Sequence, residues 1–183
     1  MSGKVVILSG PSGVGKDTVI DAWKALNPSV ERVVAYTTRQ PRDGEKNGVD
    51  YHFVDRDRFM EFAEAGDFLE YKEVHGNYYA TPLADLRRML SEGKIAILKI
   101  DVQGALSAME LVPEAESVFL LPPDAEELVR RIRERGADED AEIVRRLQNA
   151  EFELSLADRY RHRIVNRDVG EVVEMLENLV RTP

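Results

Sequence analysis

Residues 4–18, KVVILSGPSGVGKDT, confine the chain to a small set of folds, because a short apolar run ends in a glycine-rich loop closed by a lysine. Val5, Val6, Ile7 and Leu8 are continuous rather than alternating, the pattern of a strand buried on both faces. A helix is expected at once, since Val19, Ile20, Trp23 and Leu26 fall on one side of a 3.6-residue period and Asn27-Pro28 ends the segment. Between strand and helix, Gly10, Gly13 and Gly15 let backbone N–H groups turn inward on an anion. The helix N-terminus adds partial positive charge, and Lys16 reaches the outer phosphates. The usual pattern, G-x-x-x-x-G-K, continues with Ser or Thr, whose hydroxyl ligates magnesium. Here Asp17 takes that place and Thr18 follows one residue late. A plain turn with an acidic residue that favours the helix dipole is the structural alternative; the flanking strand and helix favour a phosphate cradle.

A chain of 183 residues with 43% hydrophobic content is long enough for one well-buried domain and gives no reason to expect two. No cysteine, basic-then-apolar leader or membrane-length apolar run occurs, so a soluble cytoplasmic protein without membrane contact is expected. With 25 Lys plus Arg against 34 Asp plus Glu, the formal charge of -9 opposes binding to nucleic acid or anionic membrane. Any polyanionic ligand must therefore be held by local arginine clusters.

Strand candidates recur at Val5–Leu8, Val33–Tyr36, Ile95–Ile100, Val118–Leu121 and Ile164-Val165, mostly separated by helical patterns. That alternation predicts an α/β fold with a parallel sheet covered by helices. Thr81-Pro82 is expected to open a helix closing at Gly93, Asp124 one closing at Gly136, and the stretch from about Asp140 to Asp158 is long and amphipathic. Thr37 to Ala80 breaks the alternation, being richer in turn residues, aromatics and charges, and reads as an insertion. Within it Asp55 is placed to cap a short helix ending near Gly66, and Phe68–Val74 with Asn77–Ala80 to form a hairpin across His75-Gly76.

The insertion carries TTRQPRDGEKNGVDYHF at Thr37 to Phe53, FLEY at Phe68 to Tyr71 and GNYYAT at Gly76 to Thr81; IDVQG follows at Ile100 to Gly104. RIRERG at Arg131 to Gly136, RRL at Arg145 to Leu147 and IVN at Ile164 to Asn166 continue the series. Together with the loop, these in-register motifs resemble guanylate kinase over nearly the whole chain. The resemblance implies a P-loop NTPase-type parallel sheet flanked by helices, with a small mixed α/β GMP-binding insertion and a helical lid. On this sequence the core would span about 1–36, 82–124 and 148–183, the insertion about 37–81 and the lid about 125–147. The implied reaction is ATP + GMP = ADP + GDP with Mg2+; dGMP tolerance and oligomeric state stay open.

Site roles follow from the resemblance beside a physical reading. Gly10, Pro11, Ser12, Gly13, Val14, Gly15, Lys16, Asp17 and Thr18 would hold ATP phosphates, with Asp17 and Thr18 near the metal, Asp17 through its water shell. Arg39 and Arg42, three apart in a Pro- and Gly-containing loop, can converge two guanidinium forks on one phosphate. The resemblance gives them the GMP phosphate with Tyr51 and Tyr79; a solvated basic turn is the bland alternative. Guanine presents N1–H and an exocyclic amine side by side, which suits one carboxylate accepting both, whereas adenine offers an acceptor at N1. Glu70 matches the family's guanine reader, with Thr81 and Asp101 assisting. Yet Thr81 is placed to cap the helix at Pro82, Glu70 fits a solvated strand face, and Asp101 sits where a strand hands over to a helix. Arg131, Arg135 and Arg146 match lid contacts to the transferring phosphoryl group, and Asn166 would lie near adenine. On spacing alone, Glu127 with Arg131 and Glu142 with Arg146 read as surface ion pairs.

Three positions depart from the family pattern. Asp17 replaces the P-loop hydroxyl, Ala35 stands where many relatives have a serine near the GMP phosphate, and Lys99 occupies a position usually acidic. Lys99 and Asp101 share a strand face and are expected either to pair or to weaken an outer-sphere magnesium site. Two rivals remain: a ribose 1,5-bisphosphate phosphokinase, whose loop also resembles GKD followed by a hydroxyl residue, and a non-catalytic guanylate-kinase-like module that binds a phosphorylated peptide. The guanine-site set argues against the first, and Lys16 with the intact glycine loop against the second.

Overall fold

The structure, a computed structural model, describes residues 3–74, 76–134 and 140–181. In chain order the elements are β1 (Lys4–Ser9), α1 (Lys16–Leu26), β2 (Val30–Arg32), β3 (Tyr36–Thr37), β4 (His52–Phe53), α2 (Arg56–Ala65), β5 (Phe68–Val74), β6 (Asn77–Pro82), α3 (Leu83–Ser91), β7 (Ile95–Lys99), α4 (Val102–Leu111), β8 (Glu116–Leu121), α5 (Ala125–Glu134), α6 (Asp140–Ser155), β9 (His162–Val165) and α7 (Val169–Arg181), with a 3-10 turn at Ala157–Arg159.

The strands β2-β7-β1-β8-β9 pair in that order, all parallel, and β1 lies in the middle. Its continuous apolar run is spent on two faces. Val5 and Ile7 join Leu98, Phe119 and the inner sides of α3 and α4 in one core; Val6 and Leu8 join Ile97, Val118 and Leu120 in the other, beneath α1 and α7. On that second face Glu177 is buried and accepts from Trp23 Nε1 and Asn27 Nδ2, each at 2.6 Å, tying α7 to the end of α1.

The second sheet, β4-β3-β6-β5, is mixed: β3 with β4 is parallel, while β6 runs antiparallel to β3 and β5. Asp55 caps α2 by accepting from Arg58 N, and Gly66 ends it in a left-handed conformation. Phe59, fully buried, packs on Phe68, Tyr71 and Tyr78, so this small sheet has an aromatic core under α2. The hairpin turn residue His75, and Arg135 and Gly136 between α5 and α6, lie outside the described residues.

Two expectations are corrected. The strand expected at Val33–Tyr36 is instead Val30–Arg32 in the core sheet; Val33 N–H still donates to Ile97 O, but Tyr36 and Thr37 already belong to the other sheet. A run of apolar residues does not say where a chain leaves one sheet for another. The long helix ends at Ser155 rather than about Asp158, and a 3-10 turn takes the remaining residues.

The Glu177 clamp yields a stability prediction. Glu177→Ala leaves the buried Trp23 donor without its acceptor, and the variant should unfold about 2 kcal/mol more easily. Urea denaturation would show this as a lower midpoint with an unchanged slope.

Candidate active site

One cleft of about 900 Å³ runs between the two sheets, with the loop after β1 on one wall and the small sheet on the other. It opens at the carboxyl ends of the parallel strands, where open α/β sheets bind ligands. Gly10 leaves β1 with φ 145°, and a Cβ there would stand 2.5 Å from Leu120 O. At Gly15, φ is 98° and a Cβ would meet Asn166 Nδ2 at 2.7 Å. Val14 between them is fully buried, and its carbonyl accepts from Asn166 Nδ2 at 2.8 Å and Arg131 Nη1 at 3.2 Å. Sequence motifs far apart in the chain, IVN and RIRERG, therefore meet on one loop carbonyl. Lys16 Nζ is folded over the loop, donating to the carbonyls of Gly10 and, at 3.1 Å, Pro11.

Arg131 makes the ion pair its spacing allows and also reaches the loop. Its Nε donates to Glu127 Oε1 at 2.6 Å, and the same side chain reaches the loop. Arg145 and Arg146 of α6 also line the cleft, whereas the side chain of Glu142 lies outside the described set. Glu153, from the end of α6, accepts from Ser12 N–H; burial pushes its carboxyl up, with Lys16 opposing. Sequence reasoning did not single it out, because a glutamate in an amphipathic helix carries no signal of its own.

At the far wall Arg39 donates through Nη2 to Glu45 Oε1 at 2.9 Å and lies 5.5 Å from the Tyr51 ring centre, while Tyr51 and Tyr79 stack edge-on at 5.9 Å. The other oxygen of Glu45 accepts the Arg42 N–H at 2.7 Å. Burial pushes Glu45 up, but Arg39 and that N–H outweigh it and leave the carboxyl below its ordinary range. Burial, helped by Tyr79 and Asp17, pushes Tyr51 up to about 12, so its hydroxyl keeps its proton. Glu45 was quoted within the motif but assigned no role; its reciprocal bonds with Arg42 N–H and O are a turn clamp.

Glu70 is buried on β5, not on a solvated face, and accepts from Thr81 Oγ1 at 2.7 Å across the β5–β6 pair. Thr81 therefore does not cap α3, whose N-cap is Pro82 without a side-chain bond. Asp101 does cap α4, accepting from Gln103 N and Gly104 N. A Cβ on Gly104 would stand 3.0 Å from Glu70 Oε2 and 3.6 Å from Asp101 Oδ2. Gly104 is thus the point where the two carboxylates face each other. A glycine in a first helical turn costs helix stability, and that cost was the available signal. Burial pushes Glu70 up to about 7, against the Thr81 hydrogen bond and with Asp101 adding to the rise.

The departures from pattern gather near α1. Of the two roles open to Lys99, pairing with Asp101 is not the one seen: its Nζ pairs with Asp17 Oδ1 at 2.6 Å, and Arg32 Nη1 reaches the same oxygen at 3.3 Å. Burial raises the Asp17 carboxyl, but Lys99, Arg32 and Lys16 together hold it below the ordinary range. Ala35 lines the cleft without a hydroxyl.

The family model described as guanylate kinase matches residues 2–182. A guanylate kinase of Lactobacillus johnsonii is 45% identical over 179 residues, covering 97% of this chain and 88% of that protein. One from a Nostoc species is 44% identical over 177 residues, covering 97% and 89%. The crystal structure of guanylate kinase from Anaplasma phagocytophilum superposes with a TM-score of 0.80 at 35% identity, covering 98% of this chain and 85% of that one. With a glycine-rich lysine loop and a buried carboxylate on facing walls of one cleft, and relatives of this closeness along nearly its whole length, the chain belongs to the guanylate kinase family.

Proposed function

We propose that the protein transfers the terminal phosphoryl group of ATP to GMP, giving ADP and GDP. The observation that carries the reading is the shared cleft: the Lys16 loop faces a buried Glu70 held by Thr81, with Arg39, Tyr51 and Tyr79 between them. The ionised Glu70 accepts N1–H and the exocyclic amine of guanine, and Asp101 adds a second carboxylate beside Gly104. Adenine cannot satisfy that buried anion, so it is rejected. Arg39, Arg42, Tyr51 and Tyr79 take the acceptor phosphate at the other end.

The acceptor is already an anionic oxygen, so the reaction needs no general base. What remains is to hold two polyanions in line and stabilise charge on the migrating group. Lys16 swings from the Gly10 and Pro11 carbonyls to the outer phosphates of ATP. Arg131 and Arg146 bring further cations from the lid, with Arg135 from outside the described residues; Asn166 fixes the loop beneath the nucleotide. Closure of the lid and small sheet excludes water, the competing acceptor.

Kinases of this kind generally require a divalent metal with ATP. The residues fit magnesium: the Asp17 side chain is half exposed beside the loop and offers a hard carboxylate oxygen, and Thr18 follows it in the first turn of α1. Bound with ATP, the ion would neutralise phosphate charge. Asp17 is the group that would orient its water shell.

Release of ADP measured with ATP plus GMP, AMP, UMP or ribose 1,5-bisphosphate tests the assignment. Fast turnover with GMP alone is expected; turnover of the bisphosphate identifies the rival kinase, and silence with all four the non-catalytic module. Asp17→Ala should raise the magnesium concentration needed for half-maximal rate, and an unchanged magnesium dependence removes the metal role. Glu70→Gln should lower kcat/KM for GMP at least about a hundredfold, since the amide cannot accept both guanine donors.

The pH dependence follows from the same carboxyl. Its folded value lies above the ordinary 4.5, so the folded state binds the extra proton between there and about 7. Stability associated with Glu70 is complete below that window and lost as pH rises through it, on the order of 3 kcal/mol. GMP requires the ionised form, so its affinity should rise with pH to about 7 and then level. Thermal midpoints and GMP titrations of wild type against Glu70→Gln would isolate both slopes, which the variant should lack.

A further inference from the structure

The carboxylate of Asp17 faces two ways. Its Oδ1 accepts from Lys99 at 2.6 Å and from Arg32 at 3.3 Å. Arg32 stands on β2, and its other terminal nitrogen turns away to donate to the main-chain carbonyls of Val49 and, at 3.1 Å, Asp50. Those two residues lead directly into Tyr51. Lys99 Nζ lies 5.6 Å from the Tyr51 ring centre, and the Arg39 guanidinium lies 5.5 Å from the same ring. Asp17, in the first turn of α1, is thus joined through two cations to the loop carrying the acceptor-phosphate groups.

We propose that Asp17, acting through Arg32 and Lys99, is a positioning residue for the acceptor-phosphate loop, so that this P-loop position serves GMP as well as ATP. The inference rests on the GMP reading above. Residues 40–49 are almost entirely exposed, Val49 included, so apolar packing does not pin the segment. Its bonds from Lys46 N to Asp50 and from Gly48 N to Tyr51 O are internal, whereas the Arg32 bonds tie it to the core sheet. A loop fixed beforehand spares GMP the cost of ordering Tyr51 and Arg39 around its phosphate. Removing the Asp17 charge leaves Arg32 and Lys99 as neighbouring cations without the anion between them, and their repulsion loosens the tether.

The consequence separates this role from any donor-side one: GMP binding should weaken in Asp17 variants with neither ATP nor metal present. Calorimetric titration of GMP into the metal-free wild type comes first, and no binding there defeats the GMP reading itself. Given wild-type binding, Asp17→Asn and Arg32→Met should each weaken GMP about tenfold, with the double variant no worse than the poorer single because both cut one chain of contacts. Asp17→Glu, which keeps the carboxylate, should recover most of the affinity. Guanosine, which lacks the phosphate, should bind every variant as it binds wild type, a result that general destabilisation would not give. If Arg32→Met does not fold, the half-exposed Asp17→Asn carries the test alone. Wild-type GMP affinity in Asp17→Asn, an equal loss for guanosine, or simple additivity in a folded double variant overturns the proposal.

Discussion

The donor end of the cleft depends on one backbone constraint: residues 10–15 must turn back on themselves between the ends of β8 and β9. Gly10 and Gly15 each combine a left-handed φ with a close approach: at Gly10 a Cβ would collide with the main-chain Leu120 O, and at Gly15 it would displace the Asn166 amide. Because the loop is squeezed from both sides, Val14 is buried and its carbonyl is shared by Asn166 and Arg131. α1 then begins at Gly15 without a side-chain cap, which leaves its first N–H groups to an anion. The strand core beneath, packed on both faces of β1, supplies the rigidity that holds this geometry.

Around that constraint the cleft carries its own counter-ions. Arg39 holds Glu45, Lys99 and Arg32 hold Asp17, Arg131 holds Glu127, and Glu153 lies in the field of Lys16. A chain with net charge -9 can concentrate cations at one place because each is partnered locally. Phosphate binding at such a site is an exchange of one anion for another, so its net free energy is smaller than the bare attraction suggests. The same pairing fixes where each cation points before a nucleotide arrives.

Much of this was legible in the chain. The buried run at β1, the glycine loop, the Asp55 cap and the α/β alternation rest on local rules of burial, dihedral freedom and capping, and they stand in the structure as read. What local rules could not give was partnership across the fold. Spacing puts Lys99 and Asp101 on one strand face, yet β7 ends at Lys99; Asp101 turns its carboxylate to the α4 amides as their cap, and Lys99 pairs with Asp17. Thr81 has the composition of a helix cap, yet serves Glu70, because β6 runs on through Pro82 and places the hydroxyl beside β5. The Val33–Tyr36 strand failed for a related reason: hydrophobicity marks burial but not which sheet receives the residue.

The base-reading end illustrates how a costly group is kept usable. A buried carboxylate facing a second one at Gly104 is held by the hydroxyl and the N–H of Thr81, with Lys72 nearby, and its elevated proton affinity shows that burial and Asp101 outweigh them. More hydrogen bonds from the protein would stabilise the anion, but they would occupy the oxygen lone pairs that the proposed reading offers to guanine. On the proposed reading, few protein donors are the condition for discrimination: the purine would supply the others, and a base that lacks them would leave the anion desolvated. On that reading the energetic penalty and the selectivity have the same origin, in one carboxylate buried on β5.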